Sequence, residues 1–325
     1  KSFMSILEKT WSFLKPGDYI DVIAPSSPVD YFDERYEMIK NYFAQTPYEV
    51  HIPKNLIQPT TPLNEANTIE NRTKFIIEAF NSDSKAIWAI SGGAWGTSIL
   101  KELSKHKKPK KIKPILGYSD VTALHVMVNQ LWNFPSIHSV VLGINGDIYS
   151  GWNKDTISET LEVLTGNKKS LTYTLTPCNQ TAEKIVHINT KIVGGNSLLI
   201  SALNGSSKFT LNTNNKFLFL ESVADDPGQF SRKVNSLCYS PVVLNSAGII
   251  FGDIIKDGGK TNSPCIQAQY DYIIDRLAKT FIHNKPVFRT YNTFGHGQTN
   301  KPLPLNTKAI LEKKEKHIIV NISAN

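Results

Sequence analysis

Short apolar runs alternate with amphipathic stretches through the first 142 residues. Residues 18–24 (DYIDVIA) are a β-rich run that stops at the Pro-Ser-Ser-Pro of 25–28, and 29–45 then carries Met38, Ile39, Tyr42 and Phe43 at helical spacing. The pattern predicts strand, turn, helix. A second strand is expected over 48–52, a helix from an N-cap at Thr68 through Phe80, and a buried strand over 85–90 that ends at Gly92 and Gly93. A helix over 97–103, a strand over 114–117, a helix over 120–131 and a strand over 139–142 continue the alternation. That order predicts a parallel sheet covered by helices.

The rhythm loosens after Gly143, where Asn, Gly and Thr dominate around one helical stretch at 156–164. Strands are expected again over 184–193, 217–221 and 247–251, and helices over 197–203, 229–239 and 266–281. In the last helix Ile266, Tyr270, Ile273, Ile274 and Leu277 share one face. Two short strands, over 305–311 and 317–322, close the chain. The expectation is an α/β fold: an N-terminal parallel-sheet domain with flanking helices over 1–150, a connecting segment over 151–182, and a smaller C-terminal α/β domain over 183–325. A length of 325 residues fits two domains of about 150 each.

Composition narrows the class. With 40 % apolar and 20 % charged residues, disorder, collagen and coiled coil are excluded, and no apolar run approaches the ~20 residues of a membrane span. Lys plus Arg outnumber Asp plus Glu by 36 to 28, which permits anionic partners without requiring them. The densest basic segment, KHKKPKKIK over 105–113, is interrupted by Pro109 and carries no interleaved aromatics. It reads as a solvated connection, not a nucleic-acid site. Cys178, Cys238 and Cys265 are far apart, odd in number and free of any C-x-x-C spacing, so they read as incidental thiols with neither a metal site nor a disulfide framework. The first fifteen residues lack the continuous apolar run of a secretory signal. Cytoplasmic residence is expected, with export left open.

Candidate chemistry begins at ILGYSDVT over 115–122, which sets Ser119 at a turn from a buried strand into a helix. Ligands collect at the carboxyl ends of strands in open α/β sheets, and amide nitrogens opening a helix can stabilise an oxyanion. A serine so placed is either a nucleophile or a helix N-cap. His296, bracketed as Phe-Gly-His-Gly-Gln over 294–298, is either a reachable base or a plain loop histidine. Glu221 ends the run FLFL over 217–220; a strand-end carboxylate there either orients a histidine or caps the next helix. The glycine-rich turn after the strand at 85–90 lacks the lysine of a P-loop and the spacing of a dinucleotide fingerprint. Its better reading is an oxyanion hole formed by the Gly93 and Asp120 amides.

Seven segments in order resemble the LD-carboxypeptidase family of serine peptidases, which also contains the self-immunity peptidases acting on microcin C. They are GDYIDVIAPSSP at 17–28, SGGAWG at 91–96, LGYSDVTALH at 116–125, VGGNSLLISALNG at 193–205, FLFLES at 217–222, AGIIFGD at 247–253 and FGHGQTNKPLPL at 294–305. The resemblance implies a two-domain α/β enzyme and a homodimer, with a Ser119, Glu221, His296 triad and no metal or other cofactor. It implies hydrolysis of the bond between the L-centre of meso-diaminopimelate and a terminal D-alanine in murein tetrapeptides, a step of cell-wall recycling. The chain departs from the family pattern at Ser91, where Arg is usual, at Ala94-Trp95, where Tyr-Gly is usual, and at Ser222, where Asp is usual. Two rivals accompany this expectation. One is an immunity peptidase cleaving peptidyl or aminoacyl adenylates, with Trp95 and Trp152 as candidate base-stacking residues. The other is a non-catalytic α/β protein that binds peptides.

Overall fold

The computed structural model describes residues 10–149 and 152–325. Residues 1–9 of the opening segment, with Ser150 and Gly151, lie outside the described residues. The strands are β1 Tyr19–Ile23, β2 Glu49–His51, β3 Ala86–Ala89, β4 Ile115–Gly117, β5 Ser136–His138, β6 Ser170–Pro177, β7 His187–Asn196, β8 Phe217–Val223, β9 Gly248–Ile255, β10 Val287–Arg289, β11 Leu303–Leu305, β12 Lys308–Lys314 and β13 His317–Ser323.

Five of them form a parallel sheet in the order β5-β4-β3-β1-β2, covered by helices that include Phe32–Ala44, Ile69–Asn81 and Thr122–Leu131. β1, β3 and β4 are buried on both faces, as central strands between helical layers must be. Thr68 caps its helix as expected, accepting from the Asn71 amide at 3.1 Å. The expected strand over 139–142 is displaced: the ladder runs through Ser136–His138, while Val140 to Leu142 are buried in the loop that follows. β11 joins the outer edge antiparallel to β5, so the C-terminal part of the chain completes the N-terminal sheet.

The second sheet closes into a barrel in the order β10-β6-β13-β12-β7-β8-β9. β7 to β10 run parallel, separated by helices such as Ser197–Leu203, Pro227–Cys238 and Pro264–Arg276, whereas β12, β13 and β6 are antiparallel neighbours. The segment over 151–182, expected as a connection, holds the helix Thr156–Thr165 and the barrel strand β6. A continuous apolar cluster joins the halves, running from Ile87, Leu124 and Met127 to Val193, Leu199 and Phe251. An interface that shares a core resists independent domain motion.

The basic segment connects the helix Leu100–Lys105 to β4, but it is only partly solvated. Lys113 is buried, its ammonium bonded to the Ala79 and Ser82 carbonyls and the Ser84 hydroxyl, and burial lowers its pKa to about 8. All three cysteines are free thiols.

Candidate active site

The carboxyl edge of the parallel sheet faces the carboxyl ends of β7 and β8. Ser119 follows β4 at φ 59°, a left-handed conformation that costs a non-glycine residue about 1–3 kcal/mol. A single 3-10 turn, Ser119–Val121, then leads into Thr122–Leu131. This strained strand-to-helix turn projects the half-buried side chain, and its hydroxyl bonds no described residue. A Cβ added at Gly92 would sit 3.6 Å from Ser119 Oγ and 3.7 Å from the Asp120 nitrogen. Glycine at 92 therefore keeps open the space in front of the hydroxyl, beside the amide at which the helical turn begins. The next peptide N–H along that loop is Gly93's, whose own Cβ position is filled by Ser26 and Ser27.

The turn is tied down from behind. Asp120 is 4 % exposed, and its Oδ2 accepts the Gly96 amide at 2.6 Å. Burial raises its pKa against hydrogen bonds from Ser26 and Gly96 and the charge of Arg72. Arg72, wholly buried, donates to the carbonyls of Pro25, Asn67 and Trp95, to Ser98 Oγ and to Glu65 at 2.8 Å. One guanidinium thus fixes both loops that border Ser119.

On the facing side His296 Nδ1 lies 2.8 Å from Glu221 Oε2, both groups being buried. The other oxygen of Glu221 accepts the Asn196 amide group at 3.1 Å. Gly295, at φ 114°, lets this loop pass close to the carboxylate: a Cβ there would be 3.0 Å from Glu221 Oε2. With Nδ1 committed, the imidazole keeps Nε2 for other chemistry. Its ring packs in a triangle with two others, Tyr118 at 4.5 Å and Trp152 at 6.4 Å, which are 6.4 Å from each other. Tyr118 is buried, and its pKa is raised well above the usual range, by burial first and the charge of Glu221 second.

The halves meet at the site through Thr122 and Asn196. The Asn196 amide N–H donates to Thr122 Oγ1 at 2.9 Å, three residues beyond Ser119, while its side chain holds Glu221. Glu221 and His296 are therefore paired, and Ser119 belongs to the turn whose Tyr118 packs on the imidazole. No hydrogen bond joins Ser119 to His296 in this structure. Such contacts often tighten only around a substrate. Among the described residues no cluster of three His, Cys, Asp or Glu side chains is arranged to hold a metal ion.

The profile of an LD-carboxypeptidase N-terminal domain matches residues 20–139, and that of an LD-carboxypeptidase C-terminal domain matches 189–311. The chain belongs to the LD-carboxypeptidase family. It is 27 % identical to a probable murein peptide carboxypeptidase of Bacillus subtilis over 94 % of this chain and 92 % of that one. The fold matches the crystal structure of a muramoyltetrapeptide carboxypeptidase from Oxalobacter formigenes (TM-score 0.75, 20 % identity, 94 % and 98 % of the two chains). It equally matches an MccF-like protein from Bacillus anthracis (TM-score 0.77, 19 % identity, 98 % and 100 %).

This LD-carboxypeptidase family member is accordingly a peptidase and a hydrolase. Several residues of its site escaped sequence reading: the side chains of Asp120, Arg72, Asn196 and Tyr118. Asn196 alone had a local signal, as the N-cap of Ser197–Leu203, where its Oδ1 accepts the Leu198 amide at 3.0 Å. Trp152, read as a base-stacking candidate, packs against His296, Gly258 and Gly259. Among the described residues no helix is long and apolar enough to cross a membrane.

Proposed function

We propose that this protein is a serine carboxypeptidase that removes the terminal D-alanine from murein tetrapeptides, with Ser119, His296 and Glu221 as its triad. The observation that carries the reading is the buried 2.8 Å contact between His296 and Glu221, set across from a strained strand-to-helix turn bearing a free hydroxyl. His296 Nε2 takes the proton of Ser119 as Oγ attacks the carbonyl carbon, and Glu221 holds the imidazolium that forms. The Asp120 and Gly93 amides receive the oxyanion. Collapse of the tetrahedral intermediate expels the D-alanine nitrogen, which takes its proton from His296. Water then cleaves the acyl-serine by the same relay.

The murein substrate is favoured by the name of the Bacillus relative and by the Oxalobacter fold neighbour. The test is mass spectrometry of an L-Ala-D-Glu-meso-diaminopimelate-D-Ala peptide incubated with the wild type and with Ser119→Ala. Release of D-alanine by the wild type only is expected. An intact peptide would overturn the substrate, and turnover by Ser119→Ala would overturn the nucleophile. Cleavage of an aminoacyl adenylate analogue in place of the peptide would move the protein to the immunity branch. A homodimer is the assembly expected with this reading, checked by sedimentation equilibrium.

A further inference from the structure

Arg72 and Arg289 are both buried, yet their donors are used very differently. Arg72 spends its nitrogens on five acceptors. Arg289, at the carboxyl end of β10, donates through Nη1 to Asp271 alone, stacks on the Tyr291 ring at 4.9 Å, and leaves Nε buried without a partner. Buried guanidinium groups ordinarily saturate their donors, so the spare capacity calls for a ligand.

Arg289 lines a cavity of about 350 Å³, within the range of about 300–1,000 Å³ for small-molecule pockets. The cavity sits at the carboxyl ends of β9 and β10, and β9 is the parallel neighbour of β8, which carries Glu221. Lys260 also lines it and has no ion-pair partner among the described residues. Asp253 supplies the opposite sign: its Oδ1 accepts the Asn292 amide at 2.9 Å, whereas Oδ2 is buried with no partner. Unspent cationic donors and an unspent carboxylate oxygen line the same space.

We propose that this cavity binds a free α-amino acid, its carboxylate held by Arg289 and Lys260 and its ammonium by Asp253. The ligand lies against the loop that carries His296. Gly297 lines the cavity, with its Cβ position 3.1 Å from Asp253 Oδ2, and the Gly259 amide donates to the His296 carbonyl at 2.7 Å. A carboxypeptidase releases a free amino acid, so the proposed ligand belongs to the class of its own leaving product. The assignment does not depend on which peptide is cut.

Equilibrium dialysis of labelled D-alanine against the full chain tests it. Saturable binding is expected in the wild type and in Ser119→Ala, with at least tenfold weaker binding in Arg289→Met and Asp253→Asn. Acetate and ethylammonium, each carrying half of the zwitterion, should displace it poorly. Should Arg289→Met fail to fold, the exposed Lys260→Met must still weaken binding severalfold. No saturable binding, or binding lost in Ser119→Ala, overturns the proposal. Binding unchanged in both Lys260→Met and Asp253→Asn overturns it too.

Discussion

The surroundings of Ser119 and those of His296 are built to different standards of polar satisfaction. Around the serine, Ser26, Asp120 and every donating nitrogen of Arg72 are paired within the protein. Around the histidine, Asn153 has neither side-chain atom hydrogen-bonded, and Asn300 Nδ2, Asp253 Oδ2 and Arg289 Nε are also unpartnered though buried. Each such atom costs about 1–3 kcal/mol unless water or a ligand satisfies it. The loops that border Ser119 are thus organised by the fold alone, although the neighbouring His138, packed on Tyr118, leaves both ring nitrogens unpartnered, whereas the loops around His296 keep bonding capacity for what enters them. Damage to the first should register in stability, and damage to the second in turnover.

Glu221→Gln gives the largest expected separation of the two. The amide is nearly isosteric and still faces the Asn196 amide group, but it no longer carries the charge that stabilises an imidazolium. Turnover of the tetrapeptide should fall on the order of 10³- to 10⁴-fold while KM changes little. Thermal unfolding should move by only a few degrees. A variant that unfolds before it loses turnover would break the contrast.

Arg72→Met is the complementary experiment. It strands Glu65, a carboxylate 6 % exposed, and releases the Pro25 and Trp95 carbonyls on the two loops beside Ser119. Breaking a buried pair by removing one partner costs about 3–5 kcal/mol. The denaturant midpoint should drop accordingly, and KM and kcat of the surviving folded fraction should worsen together. Unchanged stability would show that the five hydrogen bonds are dispensable.

The legibility of the chain divides along similar lines. Ser197–Leu203 coincides with the helix expected from local pattern, and β3 falls within the expected strand, because apolar spacing and a cap are local signals. β10, three residues long, has no counterpart among the expected strands, and β6 falls within the expected connection. Both owe their existence to partners far along the chain, β6 pairing with β13 and β10 with β9 and β6. β11 is the extreme case, since nothing near Leu303 signals that it will complete the other sheet. The site follows the same rule. A serine after a strand, a glycine-bracketed histidine and a strand-end glutamate stand out by local context. Arg72 and the Asp120 side chain do not, because their work is to bridge segments separated by 47 and 24 residues.

The pH dependence of stability should carry the signature of the serine half. His125 lies beneath the turn, its ring nitrogens 2.8 Å from the Gly117 carbonyl and 2.7 Å from Ser136 Oγ, and burial lowers its pKa to about 4. The unfolded chain takes up that proton near pH 6.5, so between these values the unfolded state binds more protons. The contribution is fully present above pH 6.5 and drains away as pH falls towards 4, by about 3 kcal/mol in total. His125→Gln should flatten the wild-type slope of stability against pH over that window. An unchanged slope would remove His125 as its source.

Asn196→Ala tests the joint between the two halves and should have the smallest effect. The backbone bond from its N–H to Thr122 survives the substitution, so the domains remain apposed. What disappears is the amide group on Glu221 Oε1 and the cap on Leu198. Loss of the cap costs about 1 kcal/mol of stability. Loss of the bond to the carboxylate frees Glu221 to rotate, and turnover should fall about tenfold by analogy with outer partners that orient a site's primary groups. Asn196→Asp separates the two contributions. An aspartate can still cap Leu198, but it sets a second carboxylate against Glu221 and draws a proton into the pair. The kcat–pH profile of Asn196→Asp should therefore shift relative to the wild type, whereas Asn196→Ala should keep the wild-type profile at lower amplitude. Identical profiles in all three proteins would mean that Asn196 serves the helix alone, and that the histidine half is oriented without help from the interface.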